Sequence, residues 1–319
     1  MTPPRLSVVV PTLRRFRPCL DTVTDLLAQD HGSFEVIVVD QNAGWPDDLS
    51  AERDALRSDP RVRWLEVAPR GVVAARHDAV EAAAGQILLF VDDDVSIPPR
   101  SFLTRHERLY DDPEVAAVAG RELSTAAALP DPDETVGDVP PDDWTGRPPV
   151  DQAFTFSRAS RRPAWVCTFS TCNGSVRRSA FLSVGGFDEQ FTGASYGDDY
   201  DFAIRLSDEG GRILYHPDPW LVHLRAPMGG LRFTDSTNQS SGRDRALAPL
   251  LFALRHGRRG SLRWTWYDGL LRKTVLLRDN VVNPWKQPAV LAGLFKALRP
   301  AWAAARSGAA SRFQTPRRG

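Results

Sequence analysis

Three consecutive carboxylates, Asp92-Asp93-Asp94, follow the apolar run Ile87-Leu88-Leu89-Phe90-Val91. Repulsion between like charges makes such a triplet a poor core feature, whereas a hard cation such as Mg²⁺ or Mn²⁺, shared with substrate phosphates, takes oxygen ligands of this kind. The plainer reading is a solvated turn in which Asp94 or Ser96 caps the next helix. A second acidic run, Gly197-Asp198-Asp199-Tyr200-Asp201, stands before the apolar positions Phe202, Ile204 and Leu206. Acids at the start of a helix complement its dipole whatever else they do. Other polar residues fall just after apolar runs: Thr12 and Arg15 after Leu6–Val10, and Asp40 after Phe34 to Val39.

The elements that must position these groups alternate. Leu6 to Val10 reads as a β-branched strand ended by Pro11, and Pro18 to Gln29 has helical spacing in Leu20, Val23, Leu26 and Leu27. Further strands are expected at 34–40, 62–67 and 87–91, with an Ala-rich helix at 72–84. Such alternation predicts the α/β class with a doubly wound, mostly parallel sheet, whose ligands bind beyond the carboxyl ends of the strands. Residues 129–163 change character: Pro130, Pro132, Pro140, Pro141, Pro148 and Pro149 are expected to block regular structure. A long mobile loop follows, and Trp144, Phe154, Phe156 and Trp165 suggest that it covers substrate. Compact structure returns from 173 to 225.

The chain has 319 residues, 42% of them hydrophobic, enough for one large α/β domain with an appendage. Three cysteines, Cys19, Cys167 and Cys172, are too few for a disulfide framework and lack a paired zinc spacing, so a reducing compartment is favoured. With no apolar leader before the first strand and no long apolar span, cytoplasmic residence is expected. The formal net charge of zero hides an asymmetry, because residues 243–318 carry 16 Lys or Arg against three Asp, a net of +13. That basic tail should attract an anionic surface such as phospholipid headgroups or nucleic acid. Leu291, Leu294, Phe295, Leu298 and Trp302 share a helical face beside Lys296, Arg299 and Arg306, and Pro300 is expected to kink or restart the helix. The stripe either meets lipid or packs on the catalytic domain. No nucleic-acid-binding module is recognisable, and nucleic acid is not an expected partner.

Taken in order, SVVVPTLRR at 7–15, VIVVDQNA at 36–43, GVVAARHDAVEAAAGQILLFVDDDV at 71–95 and the later NGS, GGFDE and GDDYDFAIRL blocks resemble the family 2 glycosyltransferases of GT-A fold. The resemblance spans roughly residues 5–228. It implies a catalytic domain over 1–228, with a nucleotide-sugar half to about 120 and an acceptor half over 164–228; the basic, mainly helical extension over 229–319 is read from composition alone. It further implies a metal-dependent, inverting transfer from a nucleoside-diphosphate sugar of uridine or thymidine type to a glycan or glycolipid hydroxyl, probed with Mn²⁺ or Mg²⁺, in cell-envelope or polysaccharide synthesis.

Position by position, the resemblance assigns Pro11, Thr12 and Arg15 to the nucleotide, Asp40 to the base or ribose, and Arg76 to the diphosphate. Asp40 could instead close an Asx-turn with Asn42, and Arg76 could pair with Asp78 or Glu81 on a solvated surface. Asp92, Asp93 and Asp94 match the DxD motif, with Asp92 and Asp94 as metal ligands and Asp92 and Asp93 near the donor. His223 matches a further metal ligand. Asp199 matches the general base, Asp198 replaces the usual Glu beside it, and Asn173, Gly186 and Phe187 match the acceptor-side scaffold. Two alternatives have been weighed: a catalytically silent module of the same fold, and a sugar-phosphate nucleotidyltransferase. The latter lacks its mark, since Pro11-Thr12-Leu13-Arg14-Arg15 is no Gly-rich phosphate loop with lysine.

Overall fold

Val8, Val9 and Val10 are all fully buried, and that sets the centre of the molecule. The computed structural model describes residues 4–192, 195–226, 229–230, 242–276 and 278–313. In it β1 (Leu6–Thr12) runs parallel to β2 (Phe34–Asp40), which in turn pairs with β3 (Val62–Glu66). On its other side β1 pairs in parallel with β4 (Ile87–Val91). Helices α1 (Phe16–Leu27), α2 (Asp47–Arg57) and α3 (Val72–Ala82) make the connections. Alternate residues of each strand serve opposite cores: Val8 and Val10 pack with α1 through Cys19, Val23 and Leu26, while Val9 packs with α3 through Val73, Ala79 and Val80. Burial on both faces explains the continuous apolar runs.

Because register pairs Thr12 with Asp40, and β4 ends at Val91, the residues after each strand emerge along one sheet edge. Pro11 does not end β1 as expected. It lies past the last pair with β4, Val9 with Phe90, where its missing N–H interrupts no ladder on that side.

The second half of the sheet is mixed. After β5 (Val95–Ser96) and α4 (Phe102–Arg108) come β6 (Val115–Ser124), β7 (Asp142–Asp143), α5 (Pro149–Thr155), β8 (Ala164–Val166), β9 (Asn173–Arg177), α6 (Arg178–Ser183), α7 (Asp198–Asp208) and β10 (Arg212–His223). The order across the sheet is β3-β2-β1-β4-β9-β6-β10-β8-β7, with β5 against β10. Strand β9 enters antiparallel between β4 and β6, while β10 runs parallel to β6.

Residues 129–163 are more structured than their prolines suggest. Pro149 occupies the first turn of α5, where a missing N–H costs nothing. Gln152, fully buried, donates to the carbonyls of Trp144 and Arg147 and accepts from the Cys167 N–H, which ties the segment to the sheet.

Beyond β10 lie α8 (Gly242–His256), a π-type helix at Arg263–Leu271, α9 (Arg278–Val282) and α10 (Gln287–Ser307). These helices share the core of the sheet through Leu250, Leu251, Phe252, Ala297 and Ala301. Fully buried Asp201 of α7 takes Arg205 at 2.8 Å, His256 at 2.8 Å and Arg255 at 3.0 Å, and Arg255 also reaches Asp188. Burial would raise the Asp201 carboxyl, yet Arg205, His256 and Arg255 outweigh it and hold the group well below the usual carboxylate range. Helix α10 continues through Pro300 without restarting, and it buries Gly293, Ala297 and Ala301, with Leu294 alone of the expected stripe partly packed against the same core.

Candidate active site

The turn after β1 carries the first group. Arg14 has φ +57°, and its N–H donates to Asn42 Oδ1 at 2.6 Å, which joins the turns after β1 and β2. The bend turns Arg15 inward, where its Nη1 lies 2.8 Å from both Asp93 Oδ1 and Asp94 Oδ1. Gly229 and Gly230, at φ +81° and +58°, close over it; a Cβ at Gly229 would stand 2.6 Å from Arg15 Cγ and one at Gly230 2.8 Å from Arg15 Cζ.

The triplet therefore divides. Asp94 is fully buried: Oδ1 accepts from Arg15, Oδ2 accepts from the Ala226 N–H at 2.8 Å, and its carbonyl accepts from the Leu224 N–H. Burial opposes ionisation there, but His223 and Arg15 outweigh it and hold Asp94 below its ordinary range. Burial instead pushes Asp93 up to about 7 against the pull of Arg15. Asp92 is the most open of the three in its surroundings, lining the cavity at 28% side-chain exposure. His223 Nε2 lies 3.5 Å from Asp94 Oδ1 and 3.9 Å from Asp92 Oδ2.

These residues fit a divalent cation. Ligand atoms of Asp92, His223 and Cys172 lie within 4.8 Å of one another. Asp93, on the same cavity, has a buried Oδ2 without a hydrogen-bond partner among the described residues. Burial pushes the Cys172 thiol well above its usual range, so Asp92 and His223 are the better donors to a hard ion. With both oxygens of Asp94 engaged inside the protein, Asp92 presents the more available carboxylate of the two acids expected at the metal.

The second acidic run divides similarly. Gly197, at φ +91°, precedes α7. Asp198 Oδ2 accepts from Arg76 Nη1 at 2.7 Å, and Arg76 Nη2 donates to Thr171 Oγ1 at 2.6 Å. Arg76 is thus buried beside the cavity and pairs with neither Asp78 nor Glu81. Asp199 lines the cavity, and its Oδ1 accepts from the Tyr200 N–H at 2.9 Å. Burial raises both carboxyls, opposed by Arg76 for Asp198 and by Arg158 and Arg76 for Asp199.

One cavity joins Pro11, Thr12, Arg15, Arg76, Asp92, Asp93, Asp199 and His223. It does not take in every expected residue. Asp40 is buried, with Oδ1 accepting from the Asn42 N–H and side-chain amide and Oδ2 from the indoles of Trp45 and Trp64, at 2.6 and 3.0 Å. Its carboxylate closes the Asx-turn and anchors two tryptophans, and Gln41 lines the cavity in its place. Phe187 is fully buried against Phe90, Phe181 and Phe202 and offers no surface to a sugar. Asn173, also fully buried, donates to the carbonyls of Arg121 and Pro219 and braces the sheet. Gly186 lies against Phe181, beneath the site. Trp144, Phe154 and Phe156 pack on Tyr215, Trp264 and one another, and none of them, nor Trp165, lines the cavity.

Two lining residues had no sequence signal. Glu122 lies two residues before the end of the largely buried strand β6, and Arg158 comes from the proline-rich segment. Arg158 donates to Tyr200 Oη at 2.8 Å and to Ser170 Oγ at 3.1 Å, and lies 3.3 Å from Glu122. Glu122 Oε1 is buried and has no partner among the described residues.

The family model for glycosyl transferase family 2 matches residues 7–183. The O-antigen biosynthesis protein RfbC of Myxococcus xanthus is 28% identical over 229 residues, 69% of this chain but 17% of that protein. Validoxylamine A glucosyltransferase of Streptomyces hygroscopicus subsp. jinggangensis is 29% identical over 68% of this chain and 54% of its own length. The chain thus spans about a sixth of the first relative and about half of the second. Among solved structures, mannosyltransferase PcManGT of Pyrobaculum calidifontis, in complex with GDP-Man and Mn²⁺, has TM-score 0.52 at 20% identity, covering 97% of this chain and 80% of that one. TarS 1–349 of S. aureus with UDP-GlcNAc has TM-score 0.59 at 16% identity, covering 93% and 81%. The α/β sheet is that of the GT-A glycosyltransferases, and the chain belongs to glycosyl transferase family 2.

Proposed function

We propose that this glycosyltransferase is metal-dependent and inverting, and moves a sugar from a uridine- or thymidine-type nucleoside-diphosphate donor to a hydroxyl of a glycan or glycolipid on the cytoplasmic side of the cell envelope. The observation that carries the reading is the one cavity lined by Asp92, His223, Arg76, Arg158 and Asp199. Asp92 and His223 would hold a divalent cation, which when bound neutralises charge on the departing diphosphate. Arg15 holds Asp93 and Asp94 in place, and Arg76 adds positive charge beside the diphosphate.

Asp199 takes the acceptor proton. As the acceptor oxygen bonds to the anomeric carbon, the bond from that carbon to the diphosphate oxygen breaks on the opposite face, and the nucleoside diphosphate leaves with the electron pair. Burial, which raises the proton affinity of Asp199, suits it to this work, and Arg158 keeps it ionised enough to serve. Glu122 and Arg158 supply an acceptor and a donor to sugar hydroxyls.

A donor screen by nucleoside-diphosphate release, with Mn²⁺ or Mg²⁺ and extracted envelope lipids as acceptors, tests the reading, with product anomers assigned by NMR. Inverted product, lost on chelation, is expected. A retained anomer, or full transfer in chelator, would overturn the mechanism.

A further inference from the structure

Helix α10 is built the wrong way round for a helix that ends in a soluble core. Its small residues Gly293, Ala297 and Ala301 are buried, whereas Leu291 is 54%, Phe295 77%, Leu298 47% and Trp302 54% exposed. These four recur at spacings of four, three and four residues, which places them on one stripe along the helix. Immediately before the helix, Val281, Val282 and Trp285 are also exposed, Trp285 at 71%. Single exposed apolar residues need no explanation, but a stripe of four large apolar side chains along one helix marks an interaction surface.

Charge identifies what would cover it. Residues 280–311 contain four Lys or Arg and no Asp or Glu. Lys296 and Arg299 edge a shallow hollow with Pro300 and Ala303, and the Arg306 guanidinium stacks on Trp302 at 4.6 Å. A second copy docked symmetrically through this face would set like charges against each other. An anionic bilayer matches both properties, because aromatic and leucine side chains enter the headgroup boundary while basic side chains reach phosphates. No helix among the described residues is long and apolar enough to cross a membrane. We infer that the outer face from Val281 to Trp302 is an in-plane docking surface for anionic phospholipid.

Small packing residues explain why the stripe faces outward. Gly293, Ala297 and Ala301 let α10 approach α8 closely, and the anchor of α8 is internal, through Arg255 and His256 on Asp201. The outer side chains are therefore free of structural duty and can be replaced without loss of fold.

The test is flotation of the whole protein with phosphatidylcholine vesicles containing or lacking phosphatidylglycerol, at low and high salt, with unchanged melting required of each variant. Binding is expected to anionic vesicles at low salt, to fall severalfold at high salt, and to be absent from neutral vesicles. Lys296→Glu/Arg299→Glu should lower partitioning at least about tenfold, since each basic residue near the surface contributes about fivefold. Trp285→Ser/Phe295→Ser should also lower it while leaving the salt dependence in place. No binding to anionic vesicles at low salt would overturn the inference. So would binding unaffected by both double variants, or a dimer in sedimentation that either double variant dissolves.

Discussion

The two acidic runs of the site invite comparison. At the end of β4, Arg15 holds Asp93 and Asp94, and Asp92 lines the cavity at partial exposure. At the start of α7, Arg76 holds Asp198, and Asp199 lines the same cavity. In each run an arginine from the first half of the chain pairs with neighbouring carboxylates and leaves one cavity-lining acid, Asp92 or Asp199, outside that pairing. The difference lies in what surrounds that one. Asp92 stands beside His223 and Cys172, a set of metal-ligating atoms. Asp199 stands beside Arg158 and Tyr200 with its proton affinity raised by burial, surroundings that suit the proton transfer proposed for it. On that proposal, like sequences would serve unlike chemistry through their neighbours.

The strongest test of that division is Asp199→Asn, which should lower transfer by about two orders of magnitude or more while donor binding and melting stay unchanged. Asp198→Asn should cost less, about tenfold, by leaving Arg76 without its carboxylate partner. Equal losses in the two variants, measured by nucleoside-diphosphate release with acceptor saturating, would erase the distinction within the run.

The β4 run divides along a different axis. Asp92→Ala should weaken cation-dependent donor binding about tenfold or more, by calorimetry, without altering stability. Asp94→Ala should instead lower stability by about 1.5–3 kcal/mol, because Arg15 loses one of two charged partners and the Ala226 N–H loses its acceptor. Melting temperatures that move equally for both variants would show that the two acids share one role.

The smallest effect is on pH. With Asp199 raised by burial, transfer should rise with pH through an acid limb above the ordinary carboxylate value of about 4, since the base works only when deprotonated. Arg158 opposes that shift, so Arg158→Gln should move the limb to higher pH. A limb that stays put in a rate profile would remove Arg158 from the environment of the base.

Much of the fold is legible because it rests on local pattern. Strands at 34–40 and 87–91 are marked by continuous apolar runs, and their boundaries agree with the structure residue for residue. Helix α2 went unseen because DDLSAERDALR is polar nearly all round and none of its residues is buried, so no apolar stripe marks it. Asp40 and Phe187 sit at family-matching positions, yet the turn of Asn42 with the indoles of Trp45 and Trp64 absorbs one and the Phe90 cluster absorbs the other. Neither partner set can be read from spacing. Glu122 and Arg158 were invisible for the same reason, since they meet only when the segment after β6 folds back over the sheet.

By itself the sequence determined which residues end strands and open helices, and hence that Thr12, Arg15, Asp40 and the acid triplet gather at one sheet edge. Periodicity and end signals are properties of a few consecutive side chains, so they need no partner to be read. Only the tertiary structure decided which acids in each run are bound by an arginine some 80 to 120 positions away in sequence and which are not. It also decided which side of α10 faces outward, because Gly293, Ala297 and Ala301 permit close helix packing that the larger residues of the same helix prevent.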